Sequence, residues 1–277
     1  MPLPSNEKPL LFYNSEKRVD LNRLLKKAVF AAQESVILHT YAFTDLSLLS
    51  LLKKQREKGI SIHIHYDKKA SPPIDVLEKE NFHFYPTEGK GLIHDKLWII
   101  DEKLLFTGST NLTRSSLKMH DNLMVGLYVP PLAKILAKGR PEAFYLETDW
   151  ATLQTYCLPG QRGLEAVLES LDRAEKEISL SLFTFTHRRI AEKLIRLHKK
   201  GIKIDLTLDR GSARGASKNI KKLLESEGIR VQTGRGLQLH HHKWAVIDRK
   251  THIVGSANWT QAAFNKNNDL ILIIDLK

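Results

Sequence analysis

The sequence predicts an α/β fold built from two similar halves. One observation is an internal repeat, in which the apolar segment leading to Phe43 returns before Phe185. A second is that apolar, strand-like segments alternate with amphipathic, helix-like segments in the same order in both halves. The third is a polar pattern that occurs once in each half. We therefore expect two α-β-α sandwich halves related by a pseudo-two-fold axis.

Each half contains a predicted helix followed by a predicted strand. In the first half, helical periodicity covers Ser47–Lys58 and a β-rich run covers Ile60–Tyr66. In the second half, the matching segments are Arg188–Lys200 and Ile202–Leu208. Further strands are predicted at 94–101, 104–107 and 122–129 in the first half, and at 241–248, 252–254 and 269–275 in the second.

The second half contains an insertion relative to the first, and a segment rich in proline and glycine separates the two halves. Between the repeat and the polar pattern the second half has gained residues, and the Gly-, Ser- and Lys-rich run 210–222 is predicted to be a loop leading into a basic helix. Prolines and glycines interrupt the region 130–163. We place the boundary near residue 150, which gives a first half of 1–150 and a second half of 151–277.

The composition favours a polyanionic partner. Lys and Arg number 43 against 31 Asp and Glu, so the formal net charge is +12. Such a surface attracts nucleic acid or anionic phospholipid membranes. With 42% hydrophobic residues, a disordered chain is not expected.

Three features of the sequence bear on localisation. A single cysteine, Cys157, cannot form an internal disulfide, and no apolar run approaches the length of a transmembrane helix. The first residues lack the pattern of a signal peptide. We expect a cytoplasmic protein, or one secreted without a cleavable signal in this chain.

The polar pattern is a histidine and a lysine two residues apart, an aspartate five positions further on, and a Gly-Ser-x-Asn turn. One copy would carry little weight, but here every spacing is repeated. On a strand the histidine and lysine would share a face, whereas the aspartate would lie on the other and favour a scaffold role. The first copy is His94, Lys96, Asp101, Gly108, Ser109 and Asn111, and the second is His241, Lys243, Asp248, Gly255, Ser256 and Asn258.

This set of side chains suits a phosphodiester. Two lysines and two amides can stabilise the negative charge that builds on pentacovalent phosphorus. One neutral imidazole can attack phosphorus while the other, protonated, donates to the leaving oxygen. Asp269 stands where the first half has Asn122, so the carboxylate is expected to stabilise the cation of His241, and Asn122 to orient His94.

The doubled motif resembles the signature of the phospholipase D superfamily over essentially the whole chain. The resemblance implies a phosphohistidine mechanism that needs no metal or other cofactor, with His94 as nucleophile and His241 as acid. One departure is Asn122, where the family often has an acid. The candidate catalytic set is His94, Lys96, Asp101, Asn111, His241, Lys243, Asp248, Asn258 and Asp269, and the candidate substrate-binding set is Ser109, Ser256, Lys90 and Arg235.

Several alternatives stay open. The run His240-His241-His242 suggests a metal site, but adjacent strand residues face opposite ways and no other ligand accompanies them at a suitable spacing. The leading hypothesis is a nuclease on DNA or RNA, and the alternatives are a phospholipase D or cardiolipin-synthase-like phosphatidyltransferase, or a non-catalytic nucleic-acid-binding protein. A monomer suffices for one active site, since both halves of the site lie in one chain.

Overall fold

The computed structural model describes residues 1–14, 19–71, 83–87, 91–234, 236 and 238–277. These residues form two compact units, Met1–Pro141 and Glu142–Lys277. The division falls earlier than the predicted boundary near residue 150. The reason is that strand Ala143–Glu147 pairs with Ala151–Cys157 and so joins the second sheet.

The first unit contains a seven-stranded mixed sheet in the order β1-β7-β6-β5-β2-β3-β4. Only the pairs β2–β3 and β3–β4 are parallel. The strands are β1 Leu10–Asn14, β2 Ser35–Thr40, β3 Ser61–Asp67, β4 His83–Thr87, β5 Lys96–Ile100, β6 Leu104–Gly108 and β7 Leu123–Tyr128, and the helices are α1 Leu21–Ala31, α2 Leu46–Glu57, α3 Arg114–Lys118 and α4 Pro130–Lys138.

The second unit contains an eight-stranded mixed sheet in the order β12-β11-β10-β13-β14-β15-β9-β8. Its central part repeats the strand pairing of the first sheet. The strands are β8 Ala143–Glu147, β9 Ala151–Cys157, β10 Glu177–Leu182, β11 Lys203–Leu208, β12 Arg230–Thr233, β13 Lys243–Ile247, β14 Thr251–Gly255 and β15 Leu270–Leu276, and the helices are α5 Gln161–Asp172, α6 Arg188–Lys199, α7 Arg210–Arg214, α8 Lys218–Ser226 and α9 Gln261–Asn265.

Each unit has its own apolar core between helices and one face of the sheet. In the first unit, α1 buries Leu24, Leu25 and Ala28 against strand residues such as Val36 and Ile62. In the second, α5, α6 and strand residues of β10 and β11 supply the corresponding core. The predicted α/β class with two similar halves is confirmed.

The predicted strands 94–101 and 241–248 begin two residues later in the structure. β5 and β13 begin at Lys96 and Lys243, so His94 and His241 precede the strands instead of lying in them. The predicted basic segment after β11 is helical, as α7 and α8. Among the described helices, none combines the length and the apolar character needed to cross a membrane.

Imidazole rings line neighbouring strands near one edge of the first sheet. His39 stacks on His65 with ring centroids 4.2 Å apart, and His65 stacks on Tyr85 at 4.3 Å. Burial lowers the pKa of His65 to about 4, and the charges of His63 and Arg140 act in the same direction. His65 is therefore neutral at pH 7.

We expect this ring to make the first unit sensitive to mild acid. Between pH 6.5 and pH 5 the unfolded chain binds the His65 proton more readily than the folded chain, so the stability is present above pH 6.5 and falls as the pH drops towards 4. The ring is partly solvated, so His65→Phe should reduce the loss of unfolding free energy over this interval by only about 1 kcal/mol. Urea unfolding at several pH values measures the unfolding free energy of the wild type and of His65→Phe. The same pH dependence in both proteins would contradict the role given to His65.

Candidate functional site

In each unit the histidine, the lysine and the Gly-Ser-x-Asn turn of the motif lie at the same end of the central strands. In the first unit, β5 is antiparallel to β2 and pairs Lys96 with Thr40, so the residues before β5 lie beyond the carboxyl end of β2. In the second unit, Lys243 pairs with Leu182 in the same way. Strands β6 and β14 are antiparallel to β5 and β13, so the turns that follow them lie at the same end of the sheet as the histidines. Each unit thus brings its own motif together.

In the first unit, His94 and Lys96 share an aromatic neighbour, Tyr41. The His94 and Tyr41 ring centroids are 5.5 Å apart, and the Lys96 ammonium lies 5.5 Å from the Tyr41 ring. Lys96 also donates a hydrogen bond to the His94 carbonyl oxygen at 2.6 Å. The lysine is fully buried, and a buried cation beside an imidazole suits an anionic ligand.

The second unit repeats this arrangement with a different ring. Phe183 meets the His241 ring edge to face, with the centroids 4.8 Å apart, and the Lys243 ammonium lies 5.1 Å from the Phe183 ring. Lys243 donates to the His241 carbonyl oxygen at 2.9 Å. The histidine and lysine of each motif are therefore adjacent, as the sequence predicted.

Two aromatic residues of the site, Tyr41 and Phe183, were not predicted from the sequence. They stand at equivalent positions of the repeat, just after β2 and β10, and both are aromatic. That coincidence is the signal that could have identified them. A ring face against the lysine attracts its cation and helps to fix both motif side chains.

The two serines of the Gly-Ser turns, Ser109 and Ser256, are buried and hydrogen-bonded within their own unit, so their contact with a substrate stays a prediction. Ser109 donates its hydroxyl to Asn122 Oδ1 at 2.8 Å and accepts from the Leu123 backbone N–H. Ser256 donates to Asp269 Oδ1 at 2.6 Å and accepts from the Leu270 N–H. Both hydroxyls hold the turn to the strand beside it.

The glycine before each serine is required by close packing. Gly108 and Gly255 have φ angles of 151° and 150°, and a Cβ at either would lie within 2.2 Å of a carbonyl oxygen on the neighbouring strand. Glycine therefore permits the turn that carries Asn111 and Asn258.

Asn122 and Asp269 occupy equivalent positions but have different neighbours. The Asn122 amide donates to the carbonyl oxygen and hydroxyl of Ser116. Alanine, Ala263, stands at the matching position of the second unit and offers no hydroxyl. The contact of Asp269 with His241, and that of Asn122 with His94, stay predictions.

The side-chain oxygens of Asn111 and Asn258 are buried without a hydrogen-bond partner in the part of the chain that the structure describes. A buried polar atom without a partner costs about 1–3 kcal/mol, so its repetition at equivalent positions calls for an explanation. These oxygens can only accept a hydrogen bond, so a donor is needed to satisfy them, whereas the NH₂ group is the end of the amide that could donate to a phosphate oxygen. The role of both asparagines in binding a phosphate stays a prediction.

Asp101 and Asp248 lie apart from the other residues of their motifs, which favours the scaffold role, and their catalytic role stays an untested prediction. They follow the far ends of β5 and β13, at the opposite edge of the sheet from the histidines. Asp101 accepts from the backbone N–H groups of 33, 34 and 35, and Asp248 from those of 175, 176 and 177. Burial acts to raise the pKa of Asp248, but these donors outweigh it and the pKa is lowered.

The histidines beside His241 pack against each other. The His240 and His242 ring centroids are 4.5 Å apart, and both rings hydrogen-bond the Ser181 hydroxyl. Both side chains are buried. The predicted substrate contacts Lys90 and Arg235 lie outside the described residues.

Comparison with known proteins identifies the family. The family described as "Cardiolipin synthase, PLD-like domain" matches residues 25–139 and again residues 167–277. The chain belongs to the phospholipase D superfamily. The two matched regions correspond to the two structural units, so the repeat seen in the sequence is a repeat of this family's domain.

The chain is also similar to curated proteins that are named cardiolipin hydrolase or phospholipase D. A mitochondrial cardiolipin hydrolase of Canis lupus familiaris is 31% identical over 122 residues, which is 42% of this chain and 45% of that protein. A phospholipase D of Rickettsia felis (strain ATCC VR-1525 / URRWXCal2) is 30% identical over 111 residues, covering 39% of this chain and 54% of that one. The chain thus matches about half the length of these curated relatives.

A solved structure supports the fold over nearly the whole chain. Phosphatidylserine synthase of Haemophilus influenzae Rd KW20 superposes with a TM-score of 0.77 and covers 99% of this chain and 83% of its own. The sequence identity is 11%, so this likeness concerns the fold alone.

Replacing the buried carboxylate of the second unit is expected to move the pH profile. If Asp269 stabilises the cation of His241, Asp269→Asn lowers the pKa of that acid. We expect a loss of kcat of about 10²-fold or more and an alkaline limb shifted to lower pH. Asp275→Asn, at the other end of β15, is the control. Lower activity with an unmoved profile would indicate a structural role only.

Proposed function

We propose that this chain is a phosphodiesterase that works through a covalent phosphohistidine, with nucleic acid as its substrate. The observation that carries the proposal is the duplicated pair of histidine and buried lysine, in which the lysine donates to the carbonyl oxygen of the histidine in each unit. Two such half-sites supply two imidazoles and two cations. That number is needed to attack phosphorus, protonate a leaving group and hold two non-bridging oxygens.

The reaction has two steps in this proposal. The neutral His94 imidazole attacks phosphorus, an N–P bond forms, and the P–O bond to the leaving group breaks while His241 donates its proton to that oxygen. Water then attacks phosphorus, His241 takes the water proton, and the N–P bond breaks to release the phosphate product and free His94. Lys96, Lys243, Asn111 and Asn258 stabilise the charge in both transition states. The lysines supply positive charge, so the steps need no metal.

Nucleic acid is supported by charge. The chain carries a formal net charge of +12, and sequence-independent binding of nucleic acid depends mainly on contacts between cations and phosphates. Exposed cations follow β11 at the edge of the second sheet where His241 lies.

A phospholipid is the second candidate. The relatives named cardiolipin hydrolase and phospholipase D favour it. Three large apolar side chains are also exposed in the first unit, in segments that follow β2, precede His94 and follow α3. They are Leu46 (66% exposed), Leu92 (43%) and Met119 (63%). Exposed apolar groups near a site can contact acyl chains.

One set of assays separates these functions. Purified protein and His94→Ala are incubated in EDTA with single-stranded DNA, with RNA, and with vesicles containing cardiolipin or phosphatidylglycerol. We expect cleavage of a nucleic acid that the variant lacks. Lipid turnover without nucleic-acid cleavage would establish the second candidate instead. Binding without any turnover would favour a non-catalytic nucleic-acid-binding protein.

A further inference from the structure

Helices α7 and α8 carry three exposed cations that form no ion pair with the residues that the structure describes. Arg214, Lys218 and Lys222 are exposed, and none forms an ion pair with a described residue. Lys218 and Lys222 are four residues apart and so lie on the same side of α8. By contrast, Lys221 is paired with Glu225. We call Arg214, Lys218 and Lys222 the α7–α8 cations.

This surface is attached to the segment that leads into the His241 motif. Asp209 caps α7 by accepting from the Ser212 N–H at 2.9 Å, and its other oxygen accepts from the His240 N–H at 3.1 Å. Arg210 donates to the Gly236 carbonyl oxygen at 2.8 Å. One carboxylate thus fixes both the start of the helices and the residue before His241.

The surface lacks the features of a membrane anchor. The apolar residues Ile220 and Leu224 of α8 are buried in the core of the second unit. None of the large apolar side chains exposed in the described chain belongs to α7 or α8. Helices that bind in a membrane interface present an apolar face to the acyl chains, whereas a strand of phosphates needs only cations.

We propose that the α7–α8 cations bind phosphates of a nucleic-acid strand that flank the linkage cleaved at His241. The inference rests on the proposed nuclease function and deepens it. Because each cation neutralises one phosphate, the contact gives affinity without sequence preference. Strand length beyond the scissile linkage should therefore increase affinity.

The test compares two triple variants that lose the same charge. Arg214→Gln, Lys218→Gln and Lys222→Gln remove the α7–α8 cations, whereas Lys176→Gln, Lys200→Gln and Lys250→Gln remove exposed lysines from the opposite edge of the same sheet. Binding of a fluorescent thirty-nucleotide single strand is measured by anisotropy in EDTA at several salt concentrations. We expect the first triple to weaken binding by at least about tenfold at low salt and to reduce the salt slope by about 2. The control triple should change binding by less than about threefold.

A small phosphodiester keeps the outcomes distinguishable. Turnover of bis(4-nitrophenyl) phosphate requires the histidines but no flanking strand, so both triples should retain the wild-type rate. Failure of the wild type on this substrate would contradict the proposed function, while the binding comparison could still be interpreted. Equal weakening by both triples would overturn the inference. The inference would also be overturned if the variant lacking the α7–α8 cations lost binding to phosphatidylglycerol vesicles but kept its binding to the single strand.

Discussion

Replacing either His94 or His241 with alanine is expected to reduce phosphodiester turnover by at least about 10⁴-fold. In the proposed mechanism the two imidazoles act on the same phosphorus, one as nucleophile and the other as acid and base. Removing one therefore stops the cycle, and a residual half of the activity is not expected. Steady-state rates in EDTA on a nucleic acid and on bis(4-nitrophenyl) phosphate measure the effect.

The matched control is His198→Ala, which changes a partly exposed histidine on α6. It should retain the wild-type rate, and thermal unfolding should show that all three variants are folded. Two half-sites that act independently would give a different result. Each single variant would then keep about half of the activity, and only the double variant would be inactive.

Asp101→Ala and Asp248→Ala are expected to have the largest effects on stability. Each carboxylate binds three consecutive backbone N–H groups where a central strand begins. Each also follows its strand with a φ angle near 50°, a conformation that asparagine tolerates better than alanine does. We expect alanine to lower the unfolding free energy by about 2–4 kcal/mol, measured by urea unfolding.

Asparagine at either position is the control, because it keeps one acceptor oxygen and tolerates the backbone conformation. Its cost should be below about 1 kcal/mol, with a normal specific activity in the folded fraction. Because the pKa of Asp248 is lowered in the folded protein, its contribution to stability decreases at low pH. The stability is present above the ordinary pKa of 3.8 and is lost as the pH falls through the lower value of the folded protein. A folded Asp248→Asn protein without activity would support the catalytic role.

Much of the fold could be predicted from the sequence because the chain repeats itself. Two copies of each periodic segment reinforced each other, and the helices and central strands were found at both positions. Strands β1, β4, β8, β9 and β12 were not predicted, and all of them lie at or near the edges of the two sheets. Their pairing with distant strands is a tertiary effect that local patterns do not show.

The candidate site was predicted in part. Spacing selected the histidines, lysines and asparagines as candidates, because these positions are fixed by the strand and by the Gly-Ser turn. The same spacing suggested that Ser109 contacts substrate, whereas its burial and its hydrogen bond to Asn122 could not be read from the spacing. Tyr41 was overlooked because an aromatic after a strand is usually a packing residue. Its relation to Lys96 depends on the approach of β2 to β5.

The most direct test of the account is to trap the intermediate. His241→Ala is mixed with a phosphodiester that carries a radioactive phosphate and a 4-nitrophenyl leaving group, which departs without an acid. The protein is then denatured at high pH, where phosphohistidine is stable, and the label is mapped by peptide analysis. We expect acid-labile phosphate to accumulate on His94 and to be absent from His94→Ala. Label on neither histidine, or on His241 alone in the wild type, would contradict the proposed mechanism.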